Sequence, residues 1–387
     1  MNGAVATTFA AINLTVGTTP ATSVQGNVIT AINLISTATT ATLAGVFAGI
    51  NVNTGNVNIG TVTGNTIGAA AGVDDILVQP GSAGALMGIN TSSTGAVSIQ
   101  NNVLGGLTAR GAAAATACAL HCINISGVAA SITITGNTIG GTAPASIRAG
   151  DPGITTANTL LSGINGASVS AGGSYSNNTI QNLLSAGTST ASYVRGIQTG
   201  TTASTTSVFT VNGNTIRFLS TSSAFVGVGS GLMAAQGIHF FTGINSTVSN
   251  NTIHDISALS TAATNIIASG IACAQATNTT VANNTIYNIS NAGTGTAVAT
   301  PPVAAGIVIR SGTTGITLYN NMISLGTGQS ANTCFIGIWS NHGSAPDPAD
   351  NIFHNTVNVT DVVAAGALPS FCYLRGDLTA TARLVTV

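Results

Sequence analysis

Asn250-Asn251-Thr252-Ile253 and Asn283-Asn284-Thr285-Ile286 are two copies of the motif that decides the fold, and near variants of it stand at ten places in the chain. The anchor is its second residue: Asn27, Asn65, Asn102, Asn137, Asn178, Asn214, Asn251, Asn284, Asn321 and Asn355. Successive anchors are 38, 37, 35, 41, 36, 37, 33, 37 and 34 residues apart. Two positions on, an aliphatic residue always follows, from Ile29 and Ile67 to Ile323 and Val357. The residue before the anchor is Gly, Asn or His throughout, from Gly26 to His354. These types enter the left-handed region more readily than others, so a sharp bend is expected there. An Asn at one place in stacked coils satisfies backbone groups that the bend strands, which predicts an asparagine ladder.

A second motif precedes each anchor by fourteen to eighteen residues, in Gly49-Ile50, Gly88-Ile89, Gly163-Ile164, Gly196-Ile197, Gly237-Ile238, Gly270-Ile271, Gly306-Ile307 and Gly337-Ile338. Ala11-Ile12 and Cys122-Ile123 hold the same phase without the glycine. Runs such as Ile307-Val308-Ile309 and Ile132-Thr133-Ile134 alternate with period two, the mark of a strand with one buried face. Each repeat therefore supplies two or three short strands and a loop rich in Ser, Ala, Thr and Gly. Helical repeats of similar period are excluded, because no i, i+3, i+4, i+7 stripe appears. A propeller needs four strands per blade.

The pattern Gly-Ile-x-Ile … Ile-x-Asn-Asn-Thr-Ile resembles the parallel β-helix repeat of the pectin-lyase-like superfamily, as found in bacterial cell-surface and adhesin segments. The fold class expected is all-β: a right-handed, single-stranded parallel β-helix of about ten coils, filling residues 1–387 as one solenoid. The long loops before Gly237, Gly270 and Gly306 are expected to leave at one corner. The resemblance is specific for architecture; that fold hosts lyases, hydrolases, tailspikes and adhesins alike.

Composition agrees with a β-solenoid. Charged residues make up 4 %, every base is Arg and every acid is Asp. A soluble helical surface built without Lys and Glu is implausible. A net charge of −1 gives no basic footprint for nucleic acid. No apolar run is long enough to span a bilayer, and no basic leader with an apolar core opens the chain. Cys118, Cys122, Cys273, Cys334 and Cys372 lack zinc-ligand spacing and read as small core residues. Neither a metal nor a cofactor is expected.

The repeat restarts at Phe371-Cys372-Tyr373, in the place of Gly337-Ile338-Trp339, which puts a further anchor near positions 385 to 389. No capping helix is evident at either end. The expectation is a segment of a longer chain or a subunit that associates end to end.

No catalytic residue is assigned. Asp74-Asp75 is the only adjacent acid pair, and neighbours on an extended segment point opposite ways. Asp347 and Asp350 read as turn residues in a Pro-rich run. The residue after each Gly-Ile points outward: Asn13, Asn51, Asn90, Asn124, Asn165, Gln198, His239, Ala272, Val308 and Trp339. Two residues on come Phe241, Arg310 and Asn341. His239, Phe241, Arg310, Trp339 and Asn341 are thus the expected ligand-binding set, suited to a polysaccharide by stacking and hydrogen bonding. The leading functional expectation is an extracellular structural or adhesive module, a stalk or fibre segment at a bacterial surface. A carbohydrate-active enzyme, or a degenerate relative of one, is the alternative; convergence of three or more of Arg310, His239, His342, Asp347 and Asp350 in one outer groove would favour it. Ice binding ranks third, because threonine shows no regular Thr-x-Thr rank in one outward column.

Overall fold

The structure is a computed structural model. It describes residues 8–39, 45–167, 172–225, 233–262, 265–295, 297, 300–310, 312–329, 332–342, 350–360 and 368–376. Every pairing between its strands is parallel, and the strands stack into three long sheets wound as a β-solenoid. The first sheet has 11 strands and carries the Gly-Ile motif, the second has 10 and leads into the anchors, and the third has 14 and starts just after them. One strand of the second sheet precedes each of the ten anchors.

Register follows the motif. Ile12 pairs with Ile50, Ile50 with Ile89, Ile89 with Ile123, and so on to Ile307 with Ile338. Behind the anchors Ile180, Ile216, Ile253 and Ile286 align in the third sheet. These columns merge into one continuous apolar core. The Gly of Gly-Ile is required by this core rather than by its backbone angles. A Cβ on Gly237 would lie 2.5 Å from Ile253 Cγ2 and 2.6 Å from the Gly270 carbonyl oxygen. Glycine lets the aliphatic residue after the anchor cross the coil.

The bend before the anchor has positive φ at nine of ten positions, from Gly26 (63°) through Asn177 (55°) to His354 (55°). Gly64 departs from this pattern; there a Cβ would strike the Asn101 carbonyl, so close approach requires the glycine. The ladder beyond it is complete. Asn214 donates its backbone N–H (3.0 Å) and its Nδ2 (2.9 Å) to Oδ1 of Asn251, while its own Oδ1 accepts the same pair from Asn178. Its Nδ2 also reaches the Tyr175 carbonyl of the preceding coil at 2.8 Å. The same linkage joins every successive pair from Asn27–Asn65 to Asn321–Asn355. Each amide therefore satisfies its buried hydrogen-bonding capacity across three coils.

Two details differ from the sequence expectation. Tyr373 pairs with Ile338 and Phe371 with Ile336, so Cys372 takes the place of Gly337, one position off the expected alignment. The further anchor near 385 to 389 lies outside the described residues. Of the cysteines, four are buried and Cys372 is exposed; all five are free. Burial pushes the Cys118 thiol up to about 11 and Cys273 and Cys334 to about 12, which suits packing and opposes reactivity.

The connections before Gly237, Gly270 and Gly306 all run from the third sheet to the first, between strands Thr215–Thr221 and Ala235–Phe240, Thr252–Ala258 and Ile267–Cys273, and Thr285–Asn291 and Val303–Ile309. They leave at one corner, as expected.

Candidate functional site

The outward column of the first sheet points away from the core yet is covered. His239 is 0 % exposed, Arg310 and Trp339 are 2 %, and Asn341 is 7 %. Arg310 lies over Trp339 at 4.6 Å, and the indole Nε1 donates to the Gly376 carbonyl at 2.9 Å. Phe241, half-buried, meets His239 edge to face at 5.5 Å. Four of the five residues expected to bind a ligand are thus buried, and farther along the same column the amides form a second ladder. Asn51 Nδ2 donates to Asn13, Asn90 to Asn51, Asn124 to Asn90 and Asn165 to Asn124, all at 2.7–2.8 Å.

Of the residues named for an enzyme, His342 Nε2 and Asp350 Oδ2 meet at 2.9 Å, and Ser340 Oγ donates to the same oxygen at 2.6 Å. Because the hydroxyl bonds the carboxylate and not the imidazole, this is not the relay of a Ser nucleophile. Thr313 Oγ1 bridges His342 Nδ1 and the Arg310 carbonyl. His342 and Arg310 are 1 % and 2 % exposed, so the group ties the end of one strand to the next rather than lining an open groove. Asp347 lies outside the described residues. Asp74, expected to be a solvated loop residue or a loose cation contact, accepts from Arg148 at 3.0 Å, and Arg110 pairs with Asp151 at 2.8 Å. Asp75 Oδ2 accepts the Ala31 N–H at 3.2 Å.

The accessible chemistry lies on the third sheet. Its strands Gln181-Asn182, Arg217-Phe218, His254-Asp255 and Tyr287-Asn288 align coil on coil. The second residue of each pair has positive φ: Asn182 55°, Phe218 54°, Asp255 56° and Asn288 53°. At this bend inside the strand Phe218, Tyr287 and Asn288 are exposed and Asn182, Arg217 and Asp255 half-buried, while Gln181 and His254 are buried. Arg217 Nε and Nη2 donate to Gln181 Oε1 at 2.9 and 2.7 Å. His254 Nδ1 meets Asp255 Oδ2 at 2.6 Å, and Asn288 Nδ2 donates to the other carboxylate oxygen. The imidazole stacks on Tyr287, with ring centres 4.6 Å apart and planes within 5°, and meets Phe218 edge to face at 5.8 Å.

These side chains separate two hollows along the solenoid axis. One, of about 680 Å³, is lined by Gln181, Asn182, Arg217, Phe218, Asp255 and Ser257. The other, of about 560 Å³, is lined by Tyr287, Asn288, Ser324, Thr356 and Asn358. Phe218 is 46 % and Tyr287 38 % exposed. Arg217 and Asp255 both line the first hollow, Arg217 bonded to Gln181 through Nε and Nη2 and Asp255 paired with His254. Beside the hollows runs a rank of threonines, Thr138, Thr179, Thr215, Thr252 and Thr285 paired in succession. It is one threonine wide on this sheet, without the Thr-x-Thr spacing, and a further column, Thr210, Thr247, Thr280 and Thr317, runs on the second sheet. On the third sheet Gln181, Arg217, His254 and Tyr287 occupy the positions two residues on.

Sequence reading missed this site because each pair follows the anchor, where attention went to the core Ile. Its only linear signal is the change from small residues after Asn-Thr-Ile to Gln-Asn, Arg-Phe, His-Asp and Tyr-Asn in four consecutive repeats. Among the described residues no group of three or more His, Cys, Asp or Glu is placed to hold a metal ion, and no helix is long and apolar enough to cross a membrane.

No family model and no curated protein matches the chain. Among solved structures it is similar to the A-module of mannuronan C-5 epimerase AlgE6 from Azotobacter vinelandii, at 12 % identity over 91 % of each chain with a TM-score of 0.28.

Proposed function

We propose that the chain is a structural β-solenoid module of an extracellular surface or fibre protein, and that it holds a polysaccharide along the open face of its third sheet. The observation that carries this reading is Phe218. Its neighbours in the bend column are Asn182, Asp255 and Asn288, residues that tolerate positive φ; a bulky aromatic there is strained. Strain at an exposed aromatic is retained where the ring has a ligand to meet. Phe218 and Tyr287 offer apolar faces for sugar rings, and Arg217, Asp255 and the threonine rank offer hydrogen bonds to hydroxyls. The near absence of charge elsewhere suits a scaffold with one point of contact.

The test is binding to a panel of immobilised neutral and acidic polysaccharides. Phe218→Asn matches the column and relieves the strain, so it is expected to leave the fold at least as stable while weakening binding about tenfold. Tyr287→Ala is expected to weaken it similarly, in line with roughly 1–1.5 kcal/mol for a lost aromatic contact. Unchanged binding by both variants would overturn the proposal.

One observation favours an enzyme: His254 is oriented by Asp255 at 2.6 Å beside the Tyr287 ring, as a general base would be. Release of new chain ends or unsaturated products from a bound polysaccharide, lost in His254→Gln, would select that reading over a binding module.

A further inference from the structure

His121, Ser162, Arg195 and Gln236 occupy one outward row of the first sheet, each paired with the next across adjacent coils. All four are buried, with Arg195 2 % exposed. Arg195 donates its Nε to Gln236 Oε1 at 3.1 Å and its Nη1 to Gln198 Oε1, and the Tyr193 ring covers its guanidinium at 3.6 Å. Among the described residues its Nη2 has no partner, nor do Ser162 Oγ and His121 Nδ1, the next two groups along the row.

The charge is harder to account for than the missing bonds. Arg110 and Arg148 each have an Asp within 4 Å, and Arg217 is half-buried at the edge of a hollow. Among the described residues Arg195 has no carboxylate partner, and both of its acceptors are neutral amides. Water satisfies a stranded N–H but does not neutralise a buried cation, whose desolvation costs several kcal/mol. His121 does not help, since burial and the neighbouring guanidinium hold its pKa down to about 4, leaving the imidazole neutral.

We propose that this row is a binding site for a small inorganic oxyanion, held by Arg195 Nη2, Ser162 Oγ and His121 Nδ1 beneath the Tyr193 ring. All three are donors when His121 carries its proton on Nδ1, and an oxyanion accepts from all three at once. Tyr193 is half-buried at the outer side of the guanidinium, and it is the part of the cover that an entering ion displaces. The site lies on a different sheet from the Arg217–Tyr287 face and does not depend on the polysaccharide reading.

The experiment is thermal unfolding of the full chain titrated with inorganic phosphate, with sulfate, and with chloride at matched ionic strength. Phosphate or sulfate is expected to raise the Tm saturably by a few degrees beyond chloride, because a ligand bound only to the native state stabilises it. Ser162→Ala is expected to weaken the apparent affinity roughly tenfold or more, the value of one hydrogen bond to a charged group, and Arg195→Gln to abolish the response. Arg217→Ala, on the other sheet, is expected to keep it. Should Arg195→Gln fail to fold, Ser162→Ala against Arg217→Ala still decides. A Tm no higher in phosphate or sulfate than in chloride overturns the proposal, and so does an equal rise in native chain and Ser162→Ala.

Discussion

Arg195 and Arg217 belong to the same coil and have almost the same surroundings: each donates to a glutamine side chain, and each has an aromatic neighbour, Tyr193 in one case and Phe218 in the other. One is sealed and the other lines an open hollow. The difference is cover. The first-sheet strand Ala235–Phe240 is buried at every residue, on both faces, whereas the third-sheet strand Thr252–Ala258 leaves Thr252, Asp255 and Ser257 half-buried. Outward-facing residues in the middle of the first sheet thus behave as a second interior, with ladders and unpaired charge, while those of the third sheet are available to a partner.

The sharpest way to break that comparison is acid. His121 on the covered face is held at about 4, below its ordinary 6.5. Between those values the unfolded chain takes up a proton that the native chain does not. Stability is therefore fully present above about pH 6.5 and falls as the pH drops toward 4, by roughly 3 kcal/mol. Chemical denaturation across this range should show the slope in the native chain and lose it in His121→Asn; an unchanged slope would show that the first-sheet face is wetter than described.

The bend ladder calibrates both faces, since it is interior by any measure. Asn214→Ala removes an amide that links three coils and is expected to cost about 1–3 kcal/mol, as for stranded buried partners; neutral results at several central anchors would remove the ladder from this account. On the covered face Asn124→Ala strands Asn90 Oδ1 and Asn165 Nδ2 and should cost about 1–2 kcal/mol. On the open face Ser257→Ala removes one hydroxyl pair with Ser290 and should stay within about 0.5 kcal/mol. If urea midpoints place Asn124 and Ser257 variants together, the contrast between the faces fails.

The repeat made most of the fold legible. Anchor, aliphatic column and Gly-Ile phase fix all three sheets, because a period-two strand and a positive-φ bend are local properties of the residues that carry them. Coverage is not local. Whether the row after Gly-Ile meets solvent depends on packing between residues far apart in the chain, which no repeat motif records. His239, Arg310 and Trp339 were legible as outward and illegible as buried. The third-sheet pairs failed to stand out for the converse reason. Asp255 and Phe218 look like ordinary strand residues until the backbone between Arg217 and Leu219, or His254 and Ile256, is known to bend.

The amide-to-amide bonds of the bend ladder all run in one sense, from each coil toward the next, through nine successive links. A column of like-directed dipoles has a polarity, and a coil joins it in a single orientation. It also has no memory of which coil it is bonding, since every rung is chemically the same. Length is then a free parameter of this molecule: excising the 37 residues between one anchor and the next, Asn214 to Asn251, would remove a storey and let the column close over the gap.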